Sequence, residues 1–289
     1  MLSARYLPEV DETGSFRYAS TVKKQRLDLF LVDQGLVQSR TLAQRIIGAG
    51  EVTVNGALVD KPGTLIAEDA AVQMKAKPRF VSRGGEKLEA ALDEFGLRMD
   101  GLVIADIGAS TGGFTDCLLQ RGAAKVYAID VGYGQLAWKL RQDPRVVVME
   151  RENARYLETL PEPLDMIVSD VSFISLRLVY ATAVHWLKPA GKVVSLVKPQ
   201  FEAGRTHVGK GGVVRDPAIH RQVLSQIVSE MKSLDLHLSG LTASPLKGPA
   251  GNIEFLGWWE RQLPLEALEF DEVYLHSLID KVMEQAARL

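Results

Sequence analysis

From Leu102 to Val197 the chain repeats one pattern, a short apolar run followed by a stretch long enough for a helix. The runs are Leu102–Ile107, Lys125–Asp130, Val146–Met149, Asp165–Val168 and Lys192–Val197. That alternation predicts βαβ units and a parallel sheet covered by helices on both faces. Asp216-Pro217 then supplies an N-cap and a proline at the first helical position for a long helix toward Ser233. Two final strands, about 236–244 and 253–259, have no helix between them and predict an antiparallel hairpin at the sheet edge. The expected class is α/β, with a smaller α+β domain in front.

That smaller domain is read from residues 21–76. Leu27, Phe30 and Leu31 with a Gly35 stop predict a short amphipathic helix, and Ser39 caps a second one through Ile47. Val52-Thr53-Val54 followed by Asn55-Gly56 is a strong hairpin signal, and Ala70, Val72 and Met74 alternate again. The stretch resembles the RNA-binding domain named after ribosomal protein S4. Matching residues are Arg26-Leu27-Asp28, Ser39-Arg40-Thr41-Leu42-Ala43-Gln44 and Gly50-Glu51-Val52-Thr53-Val54-Asn55-Gly56. The resemblance implies that the second helix and the loop after it face RNA, with Arg40 and Arg45 as phosphate contacts. At about 100° per residue those two arginines lie some 140° apart and form no single stripe. Residues 1–20 lack periodicity and read as an extension, and Lys75-Ala76-Lys77-Pro78 opens a linker taken as 77–82. The larger domain is then 83–289.

Composition narrows the function classes. The chain has 289 residues and net charge −2, but between Thr21 and Phe80 nine Lys/Arg face six acids, a local +3 suited to a polyanion. No window is apolar enough for a membrane span, and Glu9, Asp11 and Glu12 sit where a signal peptide needs apolar residues. The single cysteine, Cys117, suits a reducing cytoplasm, and the five histidines show no metal-ligand spacing, so no metal is expected. Cys117 lies inside a predicted helix beside Leu118 and reads as inert packing rather than a nucleophile.

The segment Asp106-Ile107-Gly108-Ala109-Ser110-Thr111-Gly112-Gly113-Phe114 ends a strand and opens a helix. Its Gly-x-x-x-Gly-Gly spacing differs from the Gly-x-Gly-x-x-Gly that lays a pyrophosphate on a helix N-terminus. Glycines here permit a sharp turn and close approach of a ligand. Asp130 closes the next strand, where an acid accepts hydrogen bonds from both ribose hydroxyls of an adenosine cofactor. Loop, acid and edge hairpin together predict a Rossmann-like S-adenosylmethionine methyltransferase domain, by fold analogy. The expected cofactor residues are Asp106, Gly108, Ser110, Thr111, Gly112, Gly113, Phe114, Asp130, Val131 and Asp170. Asn153 and Arg155 are expected near the adenine.

Four further positions match the Lys-Asp-Lys-Glu tetrad of the FtsJ-type ribose 2′-O-methyltransferases. They are Lys87 in Ser82-Arg83-Gly84-Gly85-Glu86-Lys87, Asp170 after the fourth strand, Lys198 after the fifth, and Glu254 on the last hairpin. Strand ends are where an open α/β sheet gathers its ligands, so residues far apart in sequence can converge there. A ribose hydroxyl is a poor nucleophile, so the enzyme must align it and take its proton. A lysine does so only if its pKa falls well below about 10.4. The expectation is that Lys198 accepts the proton, that Lys87 places the ribose and electrostatically depresses Lys198, and that Asp170 and Glu254 orient the lysines. The Asn/Asp-Pro-Pro-aromatic tetrapeptide of amino-methylating enzymes is absent, since Ser169-Asp170-Val171-Ser172-Phe173 stands in its place. The glycine-rich loop from Gln200 to Asp216 carries Arg205, Lys210 and Arg215 and reads as a basic lid. Arg83, Arg205 and Lys210 are the expected RNA contacts of this domain.

With these segments in view, the chain resembles the TlyA (hemolysin A) family. The shared text is Ser82–Gly85, Asp106–Phe114, Asp130–Leu136, Asp170–Leu176 and Val197–Asp216. The resemblance implies methylation of cytidine 2′-hydroxyls in ribosomal RNA, with S-adenosylmethionine as methyl donor and ribosomal RNA or ribosomal subunits as partners. Three rivals make other predictions. A non-catalytic assembly factor would have no need of the tetrad, a base methyltransferase would place its product on the nucleobase, and a pore former would need an amphipathic membrane element that is not evident.

Overall fold

The chain divides into two compact units, Met1–Lys77 and Pro78–Leu289. The computed structural model describes residues 23–75, 78–261 and 272–289, together with the backbone of two short paired strands, β1 (Glu9–Val10) and β2 (Phe16–Arg17). Apart from those strands, the expected extension over 1–20 lies outside the described residues.

The first unit continues through β3 (Lys24–Arg26), α1 (Leu27–Asp33), α2 (Arg40–Gly48), β4 (Val52–Val54), β5 (Ala57–Leu58), β6 (Leu65–Ala67) and β7 (Val72–Met74). Ser39 caps α2 as expected, its hydroxyl accepting from Leu42 N–H. Asn55 and Gly56 both take positive φ, the two-residue turn that joins β4 to β5. The single small sheet expected here is two sheets: β5-β4-β7, and a β3–β6 pair that the apolar pattern does not announce. Leu27, Phe30, Leu31, Ala43, Ile47, Val52 and Ile66 form this unit's own core.

The second unit runs α3 (Gly84–Glu94), β8 (Val103–Ile107), α4 (Gly113–Gln120), β9 (Lys125–Asp130), α5 (Trp138–Arg141), β10 (Val146–Glu150), β11 (Leu164–Ser169), α6 (Leu176–Ala183), β12 (Leu187–Val197), α7 (Pro199–Glu202), α8 (Pro217–Lys232), β13 (Leu236–Ala243), β14 (Phe255–Arg261) and α9 (Glu272–Ala286). Seven strands form one sheet in the order β10-β9-β8-β11-β12-β14-β13. The first five are mutually parallel, and β14 runs antiparallel between β12 and β13. This is the expected α/β sheet with its terminal hairpin. Alternate strand residues feed two apolar layers. One packs Ile104, Val126, Met166 and Val194 against α3 and α4, and the other packs Ile107, Ile129, Ile167 and Val193 against α6, α8 and α9. In α8, Val223, Leu224, Ile227, Val228 and Met231 bury one helical stripe.

The linker expected at 77–82 needs correction. Phe80 is buried in the second unit, and the Val81 N–H donates to Asp116, so residues 78–82 fold with that unit.

Candidate active site

Parallel strands end at one edge of the sheet, and that edge carries the site. Gly108 follows β8, Asp130 closes β9, Asp170 follows β11 and Lys198 follows β12. Because β14 is antiparallel, it begins where β12 ends, and the Val197–Phe255 pairing sets Glu254 beside Lys198's strand end. Lys87 comes from the first turns of α3. All four tetrad residues line one cleft of about 560 Å³.

Their charges are matched in pairs. Lys87 Nζ lies 2.5 Å from Glu254 Oε2, with side chains only 8% and 1% exposed. Lys198 Nζ lies 2.6 Å from Asp170 Oδ1. This second contact is an ion pair, and Asp170 Oδ1 has no directed hydrogen-bond partner among the described residues. The directed hydrogen bond of Lys198 goes to Ser172 Oγ at 2.9 Å. Lys87 is thus paired with a carboxylate at contact distance, and Lys198 with another.

A second cavity of about 480 Å³ adjoins the cleft, sharing Gly108, Ser110, Asp170, Ser172 and Phe173 with it. Its walls include Ile129, Val131, Ala154, Ile174 and Val179, with Asp130 and Asn153 as polar groups. Asp130 is fixed by two backbone donors, Ser110 N–H to Oδ2 at 2.8 Å and Gly132 N–H to Oδ1 at 2.7 Å. Each oxygen keeps a further lone pair for a ribose hydroxyl. An apolar slot with one oriented acid fits adenosine, and the shared wall leads from it to the tetrad. The residues present thus fit S-adenosylmethionine, which supplies an electrophilic methyl group when bound.

Several expected cofactor residues play other parts. Asp106 lines neither cavity. It is fully buried, and its Oδ2 accepts from Thr115 N–H at 2.9 Å and Thr115 Oγ1 at 2.6 Å, anchoring the start of α4. Burial pushes its carboxyl up to about 7, with Asp170 and Asp130 adding to the rise. Gly108 and Gly112 take φ of +83° and +95°, as a sharp turn requires. Yet a Cβ on Gly108 would meet Asp170 O at 2.7 Å, and one on Gly112 would meet Leu136 and Leu140. Gly112 thus makes room for the protein itself, while Gly108 is packed against Asp170 and also lines both cavities. Thr111, Gly113 and Phe114 line the larger cleft. Arg155 lines neither cavity, its guanidinium standing over the Tyr156 ring at 5.4 Å.

Among the expected RNA contacts, Arg83 lines the cleft, while Arg205 and Lys210 lie exposed on the loop after Lys198. In the first unit Arg45 is exposed, but Arg40 is engaged. It donates to the buried Asp28 at 2.9 Å, and Arg26 clasps the same carboxylate, holding it well below the usual carboxylate range. Arg40 is thus partly a structural residue. Cys117 is buried, and desolvation pushes its thiol up to about 12, which suits an inert packed side chain.

Sequence reasoning missed Ser172, Phe173, Phe201 and Asn252. Phe173 is 90% exposed with φ of +64°, and its ring packs on Phe201 at 4.8 Å. Asn252 is buried and grips the basic loop, accepting from Val214 N–H at 3.0 Å and donating to Gly212 O at 2.9 Å. No sequence signal marks a left-handed phenylalanine or an asparagine clasp.

Comparison with known proteins agrees with this geometry. Residues 80–261 match the model of the FtsJ-like methyltransferases, and residues 25–72 match the S4 domain. The chain belongs to the FtsJ-like methyltransferase family. It is 46% identical to the 16S/23S rRNA (cytidine-2′-O)-methyltransferase TlyA of Mycobacterium tuberculosis, over 83% of this chain and 91% of that relative. It is 44% identical to Hemolysin A of Brachyspira hyodysenteriae, over 80% of this chain and 98% of that one. A solved structure from Streptococcus thermophilus carrying a hemolysin label superposes with TM-score 0.70 at 43% identity, covering 93% of this chain and 97% of its own. The chain is therefore an S-adenosylmethionine-dependent methyltransferase of the TlyA group. Among the described residues, no helix is long and apolar enough to cross a membrane, and no cluster of ligands could hold a metal ion.

Proposed function

We propose that this methyltransferase acts in the cytoplasm on ribosomal RNA, transferring the methyl group to a cytidine 2′-hydroxyl. The observation that carries the reading is the pairing of Lys87 with Glu254 and of Lys198 with Asp170 in a cleft that shares a wall with the Asp130-lined cavity. Lys198 accepts the hydroxyl proton, with Asp170 holding it in place. Lys87, fixed by Glu254, donates hydrogen bonds that place the ribose. Asp130, Val131 and Asn153 hold the adenosine, and Gly108 and Ser110 border the methionine end. The exposed ring of Phe173 offers a face to a nucleobase at the mouth of the cleft. Arg45, the remaining donors of Arg40, and Arg83, Arg205 and Lys210 supply phosphate contacts. The TlyA relative, named for this reaction, supports the choice of nucleotide.

The test is transfer of labelled methyl to purified ribosomal subunits and to naked ribosomal RNA, followed by nucleoside analysis. The expected product is 2′-O-methylcytidine, lost in Lys198→Ala while cofactor binding persists. Methyl on a base, or no transfer to any of these RNAs, overturns the reading.

A further inference from the structure

Among the described residues Lys198 has two polar partners, Asp170 and Ser172, and they do different work. Asp170 Oδ1 is the closer, at 2.6 Å, and draws the amine as its ion-pair partner. Ser172 Oγ, at 2.9 Å, makes the directed bond. The distinction matters because an amine rotates freely about its Cε–Nζ bond. A neutral amine carries two N–H groups and one lone pair, and it accepts a proton only if the lone pair faces the donor. With one N–H drawn to Asp170 and the other bound by Ser172, the remaining tetrahedral direction belongs to the lone pair.

The surroundings fix the serine. It lies on the wall shared by both cavities, where cofactor and substrate must meet. The next residue, Phe173, holds φ of +64°, a backbone turn that L side chains rarely adopt. Phe173 packs on Phe201 at 4.8 Å, and the Phe201 ring lies 5.9 Å from Lys198 Nζ. An aromatic floor thus stands near the amine where a competing acceptor could otherwise sit.

We propose that Ser172 is a positioning residue for methyl transfer, accepting one N–H of Lys198 and so turning the Nζ lone pair toward the incoming ribose hydroxyl. The proposal rests on the reading of Lys198 as proton acceptor. The ribose oxygen gives its proton to Nζ and its freed electron pair to the methyl carbon, whose former bonding pair stays on sulfur. Ser172 touches neither reacting atom and ends the step unchanged.

The test compares the full-length wild type with S172A, S172T and K198A, using S-adenosylmethionine and a ribosomal RNA substrate across pH. S172A is expected to lower kcat by about 10- to 100-fold with the cofactor KM within about twofold, as for a misaligned reacting group. S172T, which keeps an accepting hydroxyl, is expected to recover most of the rate. The pH profile separates orientation from simple damage. A hydroxyl that accepts from Lys198 stabilises the ammonium more than the neutral amine, so its loss moves the rising limb of kcat to lower pH even as the plateau falls. The other charged side chains lining the cleft, Asp170, Lys87, Glu254 and Arg83, are unchanged in these variants. Should S172A fail to bind cofactor, S172C replaces it as the near-isosteric weak acceptor. A kcat within twofold of wild type, an unmoved limb, or no recovery in S172T overturns the proposal. Activity retained in K198A would instead overturn the reading on which it rests.

Discussion

The Asp106 carboxyl is fully buried, with Oδ2 committed to Thr115 and Oδ1 without a partner among the described residues. Its value of about 7 in the folded chain stands against 3.8 ordinarily. Between those two pH values the folded chain keeps a proton that the unfolded chain has lost, so stability falls as pH rises through that window. At about 1.4 kcal/mol per unit, the change is on the order of 4 kcal/mol. Asp106→Asn removes this ionisation. Denaturant melts of both proteins are expected to show the asparagine variant gaining on the wild type between about pH 4 and 7, and a constant gap below pH 4. A gap that is flat throughout would mean that Asp106 stays ionised. Lys87 and Glu254 are a different case, a buried pair whose charges compensate. Glu254→Ala leaves an ammonium buried alone and is expected to cost about 3–5 kcal/mol, whereas replacing both with apolar residues of similar volume costs much less. Urea melts of the single and double variants measure both.

Between β11 and β12 three buried hydroxyls close a circle that the catalytic reading does not use. Ser169 donates to Ser195 at 2.9 Å, Tyr180 donates to Ser169 at 3.1 Å, and Tyr180 and Ser195 meet at 2.6 Å. Three hydroxyls so placed can each donate once and accept once, leaving none unsatisfied. Burial pushes the Tyr180 phenol up to about 12, so the circle stays intact at ordinary pH. It pins the two strands directly below the points where Asp170 and Lys198 depart. Tyr180→Phe strands a hydroxyl in the core and is expected to cost about 1–3 kcal/mol, and changing both serines to Ala as well should return part of that loss. Equal melting curves for the single and triple variants would show that the circle carries no coupling. At this scale the sequence was a good guide to some features and a poor one to others. The parallel strands and the edge hairpin were legible because apolar runs and turn residues record them locally. Convergence of Lys87, Asp170, Lys198 and Glu254 was legible once strand ends share an edge. The β3–β6 pair was not, because Lys24–Arg26 and Leu65–Ala67 are too short and mixed to show a period. Ser172 was invisible for another reason. Its role depends on which way its side chain points just before the left-handed Phe173, and residue type does not encode that direction.

The two units have separate apolar cores, the first built on Leu27, Leu31 and Ile47 and the second layered on both faces of the seven-stranded sheet. Both cavities belong to the second unit. A small core stabilises only marginally, while the larger sheet buries proportionally more of its chain. Calorimetry of the full chain is therefore expected to show two transitions, the first unit melting earlier. A ligand stabilises only the unit it binds, by RT ln(1 + [L]/Kd). S-adenosylmethionine at about 100 times its Kd should add about 2.7 kcal/mol to the later transition and leave the earlier one in place. Ribosomal RNA should raise the earlier transition as well, and lose that effect as salt rises, if the proposed contacts with Arg45 and the other cations displace counterions. The cofactor's effect should vary far less with salt. A single transition that moves as a whole with S-adenosylmethionine would mean that the two cores unfold as one, and the first unit would then have to be treated as part of the cofactor-binding body.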